Sequence, residues 1–192
     1  MEHHKTAILS VFDKTGIEKL GKFLVRNGYR ILSTGGTSKI LKENSIDVID
    51  VSDHTGFPEI LDGRVKTLHP RIHSGILARD TLEHLNTLEK HGIPAIDLVV
   101  VNLYPFQKTL ENPDSTEQQI VEMIDIGGPT MLRAAAKNFE RVVCLSDSSQ
   151  YEEFMDREKH SRCDLNFRKR MAAAVFRITS EYDKAVAGFL GE

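Results

Sequence analysis

The 192-residue chain is short of cysteine, of long apolar runs and of charge of one sign. Its two cysteines, Cys144 and Cys163, are too few for a disulfide scaffold and read as reduced structural thiols of a cytoplasmic protein. No apolar run approaches the roughly 18 to 20 residues that cross a bilayer. The start MEHHKT carries no apolar export signal. A formal net charge of -3 leaves no electrostatic footprint for DNA or RNA, and the short basic run Arg168–Arg170 reads as a solvated helix face. Neither the Walker spacing GxxxxGK followed by Ser or Thr nor the dinucleotide spacing GxGxxG is present. The tetrapeptide Asp13–Gly16 does match the start of the phosphorylated motif of ion-pumping ATPases. A pump needs a membrane, far more chain and a second Thr where this sequence has Ile17, so Asp13 is expected to be a turn or pocket residue.

What the chain does contain is the composition of one globular domain, 40% hydrophobic and 28% charged. Thr6–Phe12 reads as a buried strand. Apolar residues at Ile17, Leu20, Phe23 and Leu24 then recur at helical spacing up to a stop at Gly28. Tyr29–Thr34 reads as a strand, Gly35–Asn44 as a glycine turn opening a helix, and Asp47–Ser52 as a third strand. This β-α-β-α-β order predicts an α/β fold: three layers, with a mostly parallel central sheet and helices on both faces. From His54 to Arg79 the pattern breaks into an irregular stretch rich in Gly, Pro, His and Arg. Leu82–His91 is helical in pattern, and the apolar run through Leu98–Val101 suits a strand buried on both faces and ended by Tyr104. Ser115 and Thr116 each have a Gln three residues on, a capping pattern for a helix to Ile124. Gly127–Asn138 is a second glycine turn with a helix, Arg141–Ser146 a last strand, and the rest helical, with a long helix over about 164–190.

In an open parallel sheet, ligands bind at the carboxyl ends of the strands, and the unusual residues of this sequence collect in the turns placed there. Ser33–Thr37 offers two glycines, the hydroxyls of Thr34 and Thr37 and a helix N-terminus, which suits a phosphate, with Lys14 on the neighbouring turn. An ordinary glycine turn with Thr37 as helix cap fits the same residues. Arg64 and Lys66 alternate along an extended stretch beside Thr67 and could face one anion, or pair with acidic side chains at the surface. His69 and His73 are four apart, but Pro70 disfavours a helix at His69 and no third ligand stands nearby, so no metal site is expected. Asp125 before Gly127 and Gly128 is either a helix cap or a reacting group, and Lys137 either a reacting group or a solvated helix end.

The order of SVFDKTG, STGGT, TGFPEILDGRVKTLHPRIHSGILAR, VVVNLYPF and IDIGGPTMLRAAAKN resembles the inosine monophosphate cyclohydrolase domain of the bifunctional purine-biosynthesis enzymes. The likeness runs from about Thr6 to Asn138 and extends to the final helix. It implies a methylglyoxal-synthase-like fold over 1–192 as a single domain, with the formyl-transfer domain of those enzymes absent. It also implies dehydrative ring closure of 5-formamidoimidazole-4-carboxamide ribonucleotide to inosine monophosphate, with neither metal nor cofactor. Carried over position by position, the resemblance assigns Lys14, Thr34, Gly35, Gly36 and Thr37 to the ribose phosphate, with Arg64 and Thr67 nearby. It assigns Ser10, Phe12, Asp13, Val101, Asn102, Asp125, Ile126 and Gly127 to the nucleotide pocket, some through their backbone. Lys66, Tyr104, Asp125 and Lys137 should surround the reacting groups, Lys66 stabilising an oxyanion and Lys137 transferring a proton. The group that takes the carboxamide proton is left unassigned. The expected partners are the nucleotide, a second copy in a homodimer and a separate formyl-transfer protein, with no nucleic acid or membrane. The pattern departs from the family at Phe12, where a Ser is usual. Two other functions share the fold and its phosphate turns: methylglyoxal synthase and a non-catalytic nucleotide sensor.

Overall fold

The computed structural model describes residues 5–191; the start of the chain, read above as lacking an export signal, and Glu192 lie outside them. Among these residues a single sheet is built from β1 (Lys5–Val11), β2 (Tyr29–Ser33), β3 (Ile49–Asp50), β4 (Leu98–Asn102) and β5 (Val143–Leu145), in the order β3-β2-β1-β4-β5. Every pairing is parallel, with Leu9 opposite Ser33 on one side and Val100 on the other. The central strands explain their own sequence: Ala7, Ile8 and Leu9 of β1 and Leu98, Val99 and Val100 of β4 are fully buried, because helices cover both faces. The chain winds outward from β1 through β2 to β3, then returns to lay β4 on the other side of β1. The order reverses between β1 and β4, and a crevice opens there at their carboxyl ends.

Among the described residues ten α-helices surround the sheet: α1 (Ile17–Arg26), α2 (Gly35–Glu43), α3 (Val51–Thr55), α4 (Pro70–Leu77), α5 (Leu82–Lys90), α6 (Phe106–Glu111), α7 (Glu117–Glu122), α8 (Gly127–Lys137), α9 (Tyr151–Lys159) and α10 (Leu165–Leu190). Ile17, Leu20 and Leu24 are the buried stripe of α1, at the spacing seen in the sequence. No helix among the described residues is long and apolar enough to cross a membrane.

The structure differs from the sequence reading in three places. The third strand shrinks to two residues because α3 begins at Val51. The stretch 54–79, expected to be irregular, contains α4. His69 is extended, as Pro70 requires, but its ring Nδ1 caps the new helix by accepting from the Arg71 N–H at 3.1 Å, and Pro70 takes the first turn, where its missing N–H costs nothing. Between α3 and α4 the chain makes a tight turn closed by an antiparallel bridge of Ile60 with Val65, with Leu61, Asp62 and Gly63 all left-handed. Finally, α6 follows Pro105, where only a strand end was expected. Of the two hydroxyls read as caps, Thr116 is the one used, in a reciprocal bond with Gln119.

Candidate active site

The crevice at the switch point is a cavity of about 700 Å³. The turns after β1, β2 and β4 build it, together with the segment leading to α4 and the start of α8. The β2 turn supplies a glycine platform. Gly35 has φ +48, where a side chain would be strained. A Cβ there would lie 3.8 Å from Lys66 Nζ, and one on Gly36 would lie 3.9 Å from Lys14 Nζ. Two ammonium groups therefore stand over the N-terminus of α2, whose first N–H groups have no intrahelical partner. This combination of a close backbone, a helix start and two cations fits a phosphate.

Several hydroxyl and amide groups expected to touch a ligand are instead occupied in building the site. The buried Thr37 hydroxyl accepts from the Val11 N–H and donates to the Val11 carbonyl, each at 3.0 Å, locking α2 to the end of β1. The Ser10 and Thr34 hydroxyls lie 3.2 Å apart. Asn102 Oδ1 accepts from the N–H groups of Phe12 (2.6 Å) and Asp13 (3.0 Å), and its Nδ2 donates to the Asp13 carbonyl at 2.9 Å. One amide at the end of β4 thus shapes the whole β1 turn. Lys14 Nζ donates to the carbonyls of Val11 and Phe12, and burial pulls its pKa below the usual lysine range, with Lys66 acting the same way and Asp13 opposing.

Asp13 itself is committed to the turn. Its carboxylate accepts from the Thr15 hydroxyl at 2.6 Å and the Thr15 N–H at 2.9 Å, and those bonds hold its pKa below the ordinary carboxylate value. It does not line the cavity, which corrects its assignment to the pocket wall; it contributes through the backbone. Val101 is buried in β4 behind the cavity rather than on its surface. Phe12 is 46% exposed and meets Tyr104 edge-on, with ring centroids 5.3 Å apart.

Asp125 lines the same cavity as the glycine platform. Its Oδ1 accepts from the Gly128 N–H at 2.9 Å, so it caps α8 and faces the cavity at once. Burial pushes its pKa up, against the Gly128 and Gly127 N–H groups and Lys66. Tyr104 also has a raised pKa, from burial first and then the charges of Asp125 and Glu59. A carboxyl and a phenol that resist ionisation, near an ammonium, form a set able to move protons. Thr67 is buried, and a Cβ on Gly127 would fall 2.7 Å from its hydroxyl, so that glycine is required by close approach. Ile126 is exposed at the rim.

Two charged residues sit differently from expectation. Arg64 lines the cavity mouth but forks onto Glu122 of α7, with Nη2 at 2.5 Å and Nε at 3.3 Å from the two oxygens. Lys137 does not line the cavity. It lies ten residues beyond Gly127 along α8, about 15 Å at the helical rise, exposed at the opposite end. Sequence spacing carries no direction, and α8 runs away from the pocket. His73, in α4, leaves Nε2 buried without a protein partner, and no three His, Cys, Asp or Glu side chains among the described residues converge as a metal would need. The sequence reading missed Glu59, Glu122 and Tyr182, which bear on Tyr104, Arg64 and Asp125. Nothing local marks them, since each meets its partner across a long sequence separation.

Comparison with known proteins places this geometry. Residues 16–130 match the MGS-like domain, and residues 135–192 match the AICARFT/IMPCHase bienzyme. The chain is 57% identical over 190 residues to the bifunctional purine biosynthesis protein PurH of Clostridium acetobutylicum, and 51% identical over 189 residues to that of Macrococcus caseolyticus. In both cases the match takes in 98% of this chain and 38% of the relative, so the chain spans well under half the length of these proteins. The crystal structure of ForH superposes with a TM-score of 0.87 at 39% identity, over 98% of this chain and 97% of that one. The five-stranded parallel sheet, the glycine platform at its switch point and these matches together establish that the chain belongs to the MGS-like domain family.

Proposed function

We propose that the chain closes the second ring of the purine, converting 5-formamidoimidazole-4-carboxamide ribonucleotide to inosine monophosphate and water. The observation that carries this reading is that one cavity brings together Lys14 and Lys66 over a glycine helix start with Asp125 and Tyr104, Lys66 acting on Asp125. The two lysines and the helix start suit the ribose phosphate, and Asp125 with Tyr104 suits proton transfer at the base. The likeness to PurH proteins supports the same substrate.

The carboxamide nitrogen attacks the formyl carbon, forming the new C–N bond, and the formyl oxygen departs as water, taking one hydrogen from each of the two nitrogens. An amide nitrogen is a weak nucleophile, so the site must first fold the two substituents together. Lys66, between the platform and Asp125, stabilises the negative charge that develops on the formyl oxygen. Asp125, held toward its neutral form by burial, supplies a proton as that oxygen leaves, and Tyr104 lies within the same wall. Lys137 enters this chemistry only from a second copy, because in its own chain it lies at the far end of α8; a homodimer is therefore part of the proposal. The protein acts in the cytoplasm, and a separate formyl-transfer protein makes its substrate.

The test is ring closure followed by ultraviolet absorbance with the purified protein, alongside binding of inosine monophosphate by calorimetry. Turnover should be present, and Lys66→Ala should lower it by at least about a hundredfold. A folded wild-type protein that binds the nucleotide without turnover would overturn the reading in favour of a nucleotide sensor.

A further inference from the structure

Asp125 lies in the short link between α7 and α8, with no ladder bonds to fix it. Its carboxylate is held from one side by the Gly128 N–H. On the other side its backbone is held by a residue from the end of the chain. The hydroxyl of Tyr182, on α10, accepts from the Asp125 N–H at 2.7 Å and donates to the Met123 carbonyl at 2.6 Å. One hydroxyl thus uses both of its capacities on the two residues that flank Ile124. The Tyr182 ring packs edge-on against Phe106, centroids 5.8 Å apart, and Phe106 is buried at the start of α6, two residues after Tyr104. The same side chain therefore braces both segments of the cavity wall that carries Asp125 and Tyr104.

We propose that Tyr182 is a positioning residue for the reaction: by bridging the Met123 carbonyl and the Asp125 N–H, its hydroxyl sets the backbone from which the Asp125 carboxyl reaches the reacting groups. The proposal rests on the ring-closure reading. Replacing Tyr182 by Phe keeps the ring and its packing on Phe106 while leaving one N–H and one carbonyl without their partner. The link then relaxes, and a displacement of about 1 Å at a reacting group can cost up to a hundredfold in rate.

Tyr182→Phe should lower kcat by about tenfold to a hundredfold with KM within about threefold of wild type, and should shift the pH dependence of kcat. A purely structural role would lower Tm and the fraction of active protein, leaving kcat per nucleotide-binding site and its pH profile unchanged; that result overturns the proposal. A second measurement is independent of turnover: the Asp125 carboxyl is titrated by carbon NMR in wild type and in Tyr182→Phe. The titration should differ between them, and identical curves overturn the positioning role. A wild-type protein without ring closure would sink the ring-closure reading alone, and the NMR comparison would still decide whether Tyr182 places Asp125.

Discussion

Gly128→Ala is a direct probe of the Asp125 carboxylate in the cavity. A Cβ at this position would lie 2.4 Å from Asp125 Oδ2, 3.1 Å from its Cγ and 3.2 Å from Val101 Cγ1. Ordinary contact begins at 3.4 Å, so the carboxylate must retreat by about 1 Å, while Val101, locked in the buried β4, has little room to yield. The retreat breaks the bond from the Gly128 N–H to Oδ1 and draws the carboxyl away from the reacting groups. A misplacement of that size predicts a loss of about a hundredfold in turnover. Stability should suffer less. Overpacking costs about 1 to 3 kcal/mol, and alanine recovers up to about 1 kcal/mol over glycine inside a helix. The fall in Tm should then stay within about 12 °C for a chain of this size. Binding of inosine monophosphate should be within about tenfold of wild type, because the added Cβ meets Asp125 and Val101 and not the glycine platform or its two lysines. The assay is ring-closure kinetics beside calorimetric binding and a thermal melt. Turnover within threefold of wild type, with Asp125 unmoved in a structure of the variant, would refute the reasoning.

Two further outcomes are expected. His54 and His73 both have pKa values pulled below the ordinary histidine value, by burial first and for His54 also by Arg71, Arg30 and His69, and each has a buried Nε2 without a protein partner. A depressed folded pKa means that the unfolded chain binds the proton more readily, so their contribution to stability is complete above about pH 6.5 and is lost as pH falls through the folded values. Tm measured from pH 8 to pH 5 should fall in that window, and His54→Gln with His73→Gln should flatten the slope; an unchanged slope rules out these groups. Phe12→Ser removes an exposed ring that touches Tyr104 and restores a hydroxyl, so affinity for inosine monophosphate should change by about tenfold or less. Abolished binding would instead mean that the ring anchors the β1 turn.

The sheet was legible because burial on both faces writes itself into sequence as uninterrupted Val, Leu and Ile, and the glycine turn after β2 because a left-handed Gly35 and a close backbone approach favour glycine. The segment 54–79 was not legible, since α4 is short and begins on an unusual histidine cap with Pro70 in its first turn. The contents of the cavity were largely foreseen as residues but less well as roles. Thr37, Asn102 and Asp13 direct their polar groups to the β1 turn between Val11 and Thr15, and nothing in a linear pattern separates an amide that holds a turn from one that holds a ligand. Lys137 shows the complementary failure: the helix was foreseen, but not that its axis points away from the crevice. Tyr182 bears on Asp125 across 57 residues, a separation at which local reading has no purchase.

The two margins of the sheet are β3, of two residues, and β5, of three. At β3 the side chain of Asp50 is taken by Ser38 and Lys42, which sets an ion pair beside the open backbone. Short, charged margins give an incoming strand almost no ladder to extend. Copies of this chain are therefore steered away from edge-to-edge growth, of the kind that ends in fibres, and toward contacts between side-chain surfaces, where association can be selective and reversible. For a protein whose central strands are nearly unbroken aliphatic runs, that restraint keeps a sequence well suited to cross-β stacking from offering its edges as a template.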